Sequence, residues 1–203
     1  MAAKKLNLVF RQGETVLRVI RWETKPFVYK PITAISKAAP VAITATGHGL
    51  KTGWRAAVVS VQGMTEINAL NAPPRDNEYH LVTVTGNDAV ALNEVNSSEY
   101  STYASGGYLQ YYTPVDLTGY SARMTIKNRV GGTALLSITS GAPDNRIAID
   151  STNHTITITV SAADTDDMTF TSGVYDLEMV GPTGAVTTIF YGSVTVTKEV
   201  TAP

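Results

Sequence analysis

The sequence predicts an all-β protein in which one β-domain is inserted into another. Three observations carry this. Short runs of alternating or β-branched residues recur along the chain with turn signals between them, the pattern of a sandwich or barrel. The rhythm breaks at Lys25-Pro26-Phe27-Val28-Tyr29-Lys30-Pro31, where two prolines bracket an extended stretch and neither can donate to a central ladder. It resumes after Pro114 with Val115-Asp116-Leu117-Thr118-Gly119-Tyr120-Ser121-Ala122-Arg123-Met124, which reads as a strand entered through a turn. The host is then residues 1–30 and 113–203, and the insert residues 31–112. Each is long enough for its own modest core.

The elements follow in order. Leu6–Phe10 alternates apolar and polar residues, Arg11–Glu14 signals a turn, and Thr15–Trp22 is β-branched and apolar, so the two strands suggest a hairpin. After the proline-bracketed connector, Ile32–Ser36 and Val41–Ala45 are short strands, and Thr46–Gly53 is a glycine-punctuated turn. Trp54–Val61 alternates, with Trp54, Ala56, Val58 and Ser60 on one face and Arg55, Ala57, Val59 and Val61 on the other. Gln62–Asn71 is a loop with room for one helical turn, and Ala72–Asn77 is an exposed loop tip. Tyr79–Val84 and Ala89–Leu92 flank the hairpin turn Thr85–Asp88. The insert closes on a stretch rich in tyrosine and glycine, Tyr100 to Tyr112.

In the second host segment, Ala122–Lys127 is a strand with Ala122, Met124 and Ile126 inward, and Arg129–Thr133 is a turn. Leu135–Ile138 is the next strand, and Ser140–Asn145 is a polar loop. Arg146–Asp150 and Thr155–Val160 read as a hairpin. Ser161 can cap a helix of one or two turns, with Asp164 reaching back from the third position. Gly173–Val180 is a strand with Val174 among its alternating apolar residues. Gly181–Gly184 is a turn, and Val186–Thr197 supplies one or two strands, bent or bulged near Gly192.

The totals exclude several function classes. Sixteen basic and 17 acidic residues give a net charge of -1, without the basic face that nucleic-acid binding needs. The absence of cysteine removes disulfides, thiolate metal sites and a cysteine nucleophile. Met1–Leu8 is basic but has no long apolar core, so no signal peptide is expected, and no apolar run reaches the roughly 18 residues of a membrane span. A soluble protein made in a reducing cytosol is the expectation.

Two resemblances sharpen the reading. Arg21-Trp22, the Val115–Met124 stretch and Ser161-Ala162-Ala163-Asp164-Thr165 come first in the host. Gly173-Val174-Tyr175-Asp176-Leu177-Glu178 and Gly192–Thr201 follow. Together, in this order, they resemble a family of small proteins encoded among phage and prophage tail or virion genes. That resemblance implies an immunoglobulin-like β-sandwich and no catalytic residues. In the insert, Thr46-Gly47-His48-Gly49-Leu50, Gly53, Val61–Asn68, Tyr79–Val84 and Tyr103-Ala104-Ser105-Gly106-Gly107 are similar to a module of phage tail proteins. That module is related to the first catalytic-cysteine half-domain of ubiquitin-activating enzymes. The similarity implies a small β-barrel, and without cysteine it implies no activity.

Candidate sites are few. His48 between two glycines could be a ligand or a general base, but a turn imidazole bonded to nearby backbone explains it better. His48, His80 and His154 do not share a metal-site spacing. Asp164, Asp166 and Asp167 suggest calcium only until the missing glycine and distal glutamate are noticed, and helix-start aspartates explain them better. No nucleophile elbow, phosphate loop or dinucleotide fingerprint is present, so no catalytic, cofactor or metal residue is assigned and no enzyme is expected. Tyr100, Tyr103, Tyr108, Tyr111 and Tyr112 are the candidate interface, either as a sugar- or protein-binding surface or as a closing strand packed on the barrel. The resemblances imply a structural component of a tailed-phage virion, in the tail, neck or baseplate. Its partners would be other virion proteins and symmetric copies of itself, with no nucleic acid or membrane. The alternative is a module that binds a host receptor or glycan. The expected location is the virion, after synthesis in the host cytoplasm.

Overall fold

Alternating side chains set the first strands. The computed structural model describes residues 3–199. Strands take up 50% of the residues and helices 6%, so the protein is all-β. Val200 and Thr201, the end of the C-terminal motif, lie outside the described residues, as do Met1 and Ala2. The chain forms two compact units. One is built from the described residues up to Trp22 and from Pro114 onward, the other from Glu23–Thr113.

The first unit begins with β1 (Lys4–Lys5), β2 (Leu8–Arg11) and β3 (Val16–Ile20). The second unit supplies β4 (Glu23–Pro31), β5 (Ala34–Ile35), β6 (Val41–Thr44), β7 (Arg55–Gln62), β8 (His80–Gly86), β9 (Ala89–Leu92) and β10 (Ser105–Pro114). The chain then returns with β11 (Ser121–Lys127), β12 (Ala134–Thr139), β13 (Ile147–Asp150) and β14 (Thr155–Val160). A short helix α1 (Ala162–Asp166), β15 (Ser172–Val180) and β16 (Val186–Thr197) complete it.

In the first unit, one sheet runs β1-β16-β15-β11-β12, with β2 also pairing β16, and a three-stranded sheet runs β13-β14-β3. β2 and β3 do not form the expected hairpin. β2 pairs in parallel with β16, Leu8 opposite Val194, whereas β3 pairs antiparallel with β14, Ile20 opposite Ile156. The turn at Gly13 carries the chain from one sheet to the other, which a turn signal cannot distinguish from a hairpin. The expected core faces are present: Ala122, Met124 and Ile126 on β11 and Ile156, Ile158 and Val160 on β14 are buried. They meet Phe10, Tyr175, Leu177 and Met179 in one apolar cluster. Val174 lies on the other side of β15 from Tyr175 and Leu177 and is only half-buried. Val186–Thr197 is a single strand, and its register slips against β15 at Leu177/Glu178. Gly192 lies opposite Tyr175. A Cβ there would sit 2.2 Å from the Leu6 carbonyl oxygen, so only glycine admits the N-terminal strand at this point.

Ser161 caps α1 as expected. Its hydroxyl accepts the Asp164 N–H at 3.1 Å, and the Asp164 carboxylate accepts the Ser161 N–H at 3.1 Å. The Ser161 hydroxyl, which donates to the Asp164 carboxylate at 2.6 Å, the Ser161 N–H and the Arg146 guanidinium 3.1 Å away hold the Asp164 carboxyl below its usual range.

In the second unit, seven strands run β4-β10-β7-β8-β9-β6-β5 around a core that includes Val41, Ile43, Trp54, Val58, Leu92 and Leu109. The expected connector Lys25–Pro31 is instead most of β4. As the end strand of its sheet, β4 tolerates prolines that a central ladder would not. Alternation along β7 holds only as far as Val58. Ser60 adopts φ 61°, and Val61 then joins Ala56 and Val58 in the core instead of opposing them. Gln62–Asn71 does include a helical turn, a 3-10 segment at Thr65–Ile67. The Ala72–Asn77 tip is exposed except for Pro74, which is buried. The Glu78 carboxylate organises this loop by accepting N–H bonds from Leu70 and Arg75, each at 2.6 Å.

Candidate functional site

The five tyrosines of the closing stretch do not act together. Tyr111 is buried against Trp54, and its hydroxyl donates to the His48 carbonyl at 2.6 Å. Tyr100 and Tyr103 are half-buried against the same core. The Tyr103 hydroxyl lies 3.0 Å from the carbonyls of Ile32 and Gly106. These three rings hold the unit together. Tyr108 and Tyr112 sit on the opposite face of β10, because residues two apart on a strand share a face and Leu109 and Tyr111 take the core side.

That outer face is aromatic beyond what the tyrosine-rich stretch suggested. β4 turns Val28 to the core and Phe27 and Tyr29 outward. Tyr29 meets Tyr108 edge to face with centroids 6.1 Å apart, and Phe27 lies 6.4 Å from Tyr29 and 4.8 Å from Tyr112. Tyr112 in turn lies 5.4 Å from Tyr79, which precedes β8. Five rings therefore run continuously as Tyr108, Tyr29, Phe27, Tyr112 and Tyr79. Lys25 places its ammonium 5.4 Å from the Phe27 centroid, within cation–π range.

Beneath the rings lies an amide. Gln110, between Tyr108 and Tyr112 on β10, is 2% exposed and donates through Nε2 to the Tyr79 hydroxyl at 3.2 Å. Burial pushes the Tyr79 phenol up to about 12, with Tyr112 adding to the shift. The base of the face is thus closed and hydrogen-bonded, while its far end is open: Tyr29 is 51% and Tyr108 43% exposed. Phe27, Tyr29, Tyr79 and Gln110 were missed in the sequence. The one available signal was the Phe27-Val28-Tyr29 alternation, masked by the flanking prolines.

The remaining candidates have structural roles. His48 is buried, and its Nδ1 accepts the Leu50 N–H at 3.0 Å, the turn role expected of it. His80 is half-buried on β8, and Nδ1 of His154 lies 3.0 Å from the Val115 carbonyl. Asp164 serves the helix cap, and Asp166 and Asp167 are exposed. Among the described residues no three His, Asp or Glu side chains are grouped to hold a metal ion, and no helix is long and apolar enough to cross a membrane.

The first unit offers a different surface. The outer face of its larger sheet forms a hollow of about 510 Å³ lined by Lys5, Arg123, Lys127, Asp176, Glu178 and Tyr191 among others. Arg123 is paired there with Glu178 at 2.7 Å. The sequence matches no protein-family model and no curated protein.

Proposed function

We propose that this chain is a non-enzymatic structural component of a tailed-phage virion, placed in the tail, neck or baseplate and acting by protein–protein assembly. The observation that carries the proposal is the strand order of the first unit, taken with the motifs that resemble virion proteins. β3, β14 and β13 follow the B, E and D strands of an immunoglobulin sandwich, and β11, β15 and β16 follow C, F and G. β12 adds an edge strand beside β11, and β1 and β2 run parallel to β16. For the second unit we infer a small barrel. β4 and β5 are consecutive in the chain, yet they lie at the two ends of the sheet order. Between them, Ile32 N–H donates to the carbonyl of Gly107 on β10, the partner of β4, and Thr33 N–H donates to that of Thr44 on β6.

Assembly would use surfaces such as the mixed-charge hollow on the larger sheet and the sheet edges at β12 and β13, since end strands carry unpaired backbone groups. Repeated identical contacts build closed rings, so symmetric copies together with other virion proteins are the partners proposed. Neither a nucleic acid nor a membrane is among them. The location is the virion, after synthesis in the host cytoplasm. Cryo-electron microscopy of the intact particle tests this reading: density for the chain in a symmetric tail, neck or baseplate layer is expected, and a particle lacking it overturns the proposal.

One observation favours a second reading, a module displayed on the virion that binds a host receptor or glycan. It is the open aromatic end of the second unit at Tyr29 and Tyr108. Burial of that face between virion subunits in the same reconstruction would exclude it.

A further inference from the structure

The exposed large apolar residues of this protein are sorted by chemistry. In the first unit they are mostly aliphatic: Val9, Leu17, Val19, Val130 and Val186, with Tyr191. In the second unit Leu70 and Leu81 are the aliphatic cases, while Tyr29 and Tyr108 form the one pair in ring contact, 6.1 Å apart at 90°. Among the described residues, the strand positions next to that pair on the same face are uncharged. Pro31 follows Tyr29 at the two-residue strand spacing, Gly106 precedes Tyr108, and Val59 lies opposite Tyr108 on β7. Lys25 sits at the Phe27 end, and Arg55 lies further along the outer face of β7, beyond Ala57 and Val59.

We infer that the Tyr29–Tyr108 pair is a binding site for a neutral pyranose saccharide. The inference rests on the second reading of function and gives it a ligand class. Three features support a sugar. Exposed aromatic faces attract the polarised C–H bonds of a pyranose, and their phenol hydroxyls can bond its hydroxyls, whereas aliphatic side chains offer neither. The lack of charge around the pair suits an uncharged ligand, since a charged one would lose hydration without gaining a counter-ion. The rings are also held in advance. Tyr29 is braced by Phe27, Phe27 by Tyr112, and Tyr112 by Tyr79, whose hydroxyl is bonded to buried Gln110. Little side-chain freedom is left to lose on binding, which favours a weak ligand.

The test uses the full chain. Methyl glycosides of glucose, galactose, mannose and N-acetylglucosamine, with their short oligomers, are titrated and followed by saturation-transfer NMR and calorimetry. At least one is expected to bind in the millimolar to micromolar range. Tyr29→Ala and Tyr108→Ala should each weaken it about tenfold or more. Tyr191→Phe, altered on an exposed ring of the first unit, should bind as wild type. Circular dichroism on each variant separates lost binding from lost folding, and Tyr29→Phe and Tyr108→Phe retain the rings if the alanine variants unfold. Failure of every saccharide to bind overturns the inference, and so does binding that survives the alanine variants. Attachment of the chain to host cells through a protein, insensitive to glycosidase treatment, would also overturn it while leaving the receptor reading in place.

Discussion

Tyr175 donates its hydroxyl to the carbonyl oxygen of Leu6 at 2.7 Å, joining the centre of β15 to the point where the N-terminal strand passes β16. The two residues stand 169 positions apart. The ring is 4% exposed within the core of the first unit and Leu6 is half-buried, so this bond is partly shielded from water and an orphaned acceptor there carries a cost. Tyr175→Phe keeps the packing and removes the donor. It should lower stability by about 0.5–1.5 kcal/mol, and more if no water reaches the Leu6 carbonyl. Chemical denaturation with the slope compared between variants measures it. An unchanged midpoint would mean that the bond contributes nothing net.

Burial pushes the Tyr175 phenol up to about 12, and Tyr79 reaches about 12 for the same leading reason. The sign follows from linkage. A raised pKa means that the folded state holds the phenol proton more tightly than the unfolded chain, whose tyrosines titrate near 10. The stability this confers is complete below pH 10 and is lost as pH rises from about 10 towards 12. Ultraviolet titration of the native protein should show a late-ionising group that includes Tyr79, Tyr175 and Tyr111, whose phenol burial also pushes up. In denaturant the late group should merge with the rest. A single native wave near 10 would contradict the burial of these phenols.

Gly107 lies on β10 with φ 86°, and a Cβ there would stand 2.3 Å from Val61 Cγ2 and 3.1 Å from the Val59 carbonyl. Gly47 also has a positive φ, 59°, but nothing lies within 4 Å of its Cβ position. The two alanine variants separate strain from collision. Gly47→Ala should cost about 1 kcal/mol, the backbone term alone. Gly107→Ala should cost clearly more, about 2–4 kcal/mol, because β7 must move as well. Thermal melting of both variants decides it, and equal losses would show that β7 yields freely at Ser60–Val61.

What the sequence made legible was local. The alternation of Ala122, Met124 and Ile126, that of Ile156, Ile158 and Val160, and the Ser161–Asp164 capping box are written within a few residues and form as read. What it hid was partnership. Leu6–Trp22 reads as a hairpin because a turn joins two strands, yet only the tertiary fold sends Leu8 to Val194 and Ile20 to Ile156. Pro26 and Pro31 argue against a strand until β4 is known to be an end strand. The positive φ of Ser60 leaves no trace in the alternation that it reverses. For the candidate site, Tyr108 and Tyr112 were in the expected group, but the partners that make them a surface, Phe27 and Tyr29, come from a strand far earlier in the chain.

The last prediction concerns the independence of the first unit. Its core cluster draws on Leu8, Phe10, Val16 and Ile20 before Trp22, and on residues from Leu117 onward after Pro114, with none from Glu23–Thr113. Where the second unit's chain leaves and returns, Val115 N–H donates to the Trp22 carbonyl at 2.9 Å, so the two ends are already adjacent. Trp22 also meets Tyr120 edge to face at 5.7 Å, which fixes the same corner from the side chains. Replacing residues 23–113 by a short Gly/Ser linker therefore asks for closure of a gap that the native hydrogen bond already spans. Loop-closure entropy varies only as the logarithm of length, so the shorter connection should not disfavour folding. Circular dichroism of the shortened chain should show a β-rich spectrum and one cooperative thermal transition. Within that shortened chain, Leu177→Ala, at a fully buried position, should then cost about 2–5 kcal/mol through lost burial and the cavity left behind. A shortened chain without a cooperative transition would mean that the first unit takes part of its stability from Glu23–Thr113.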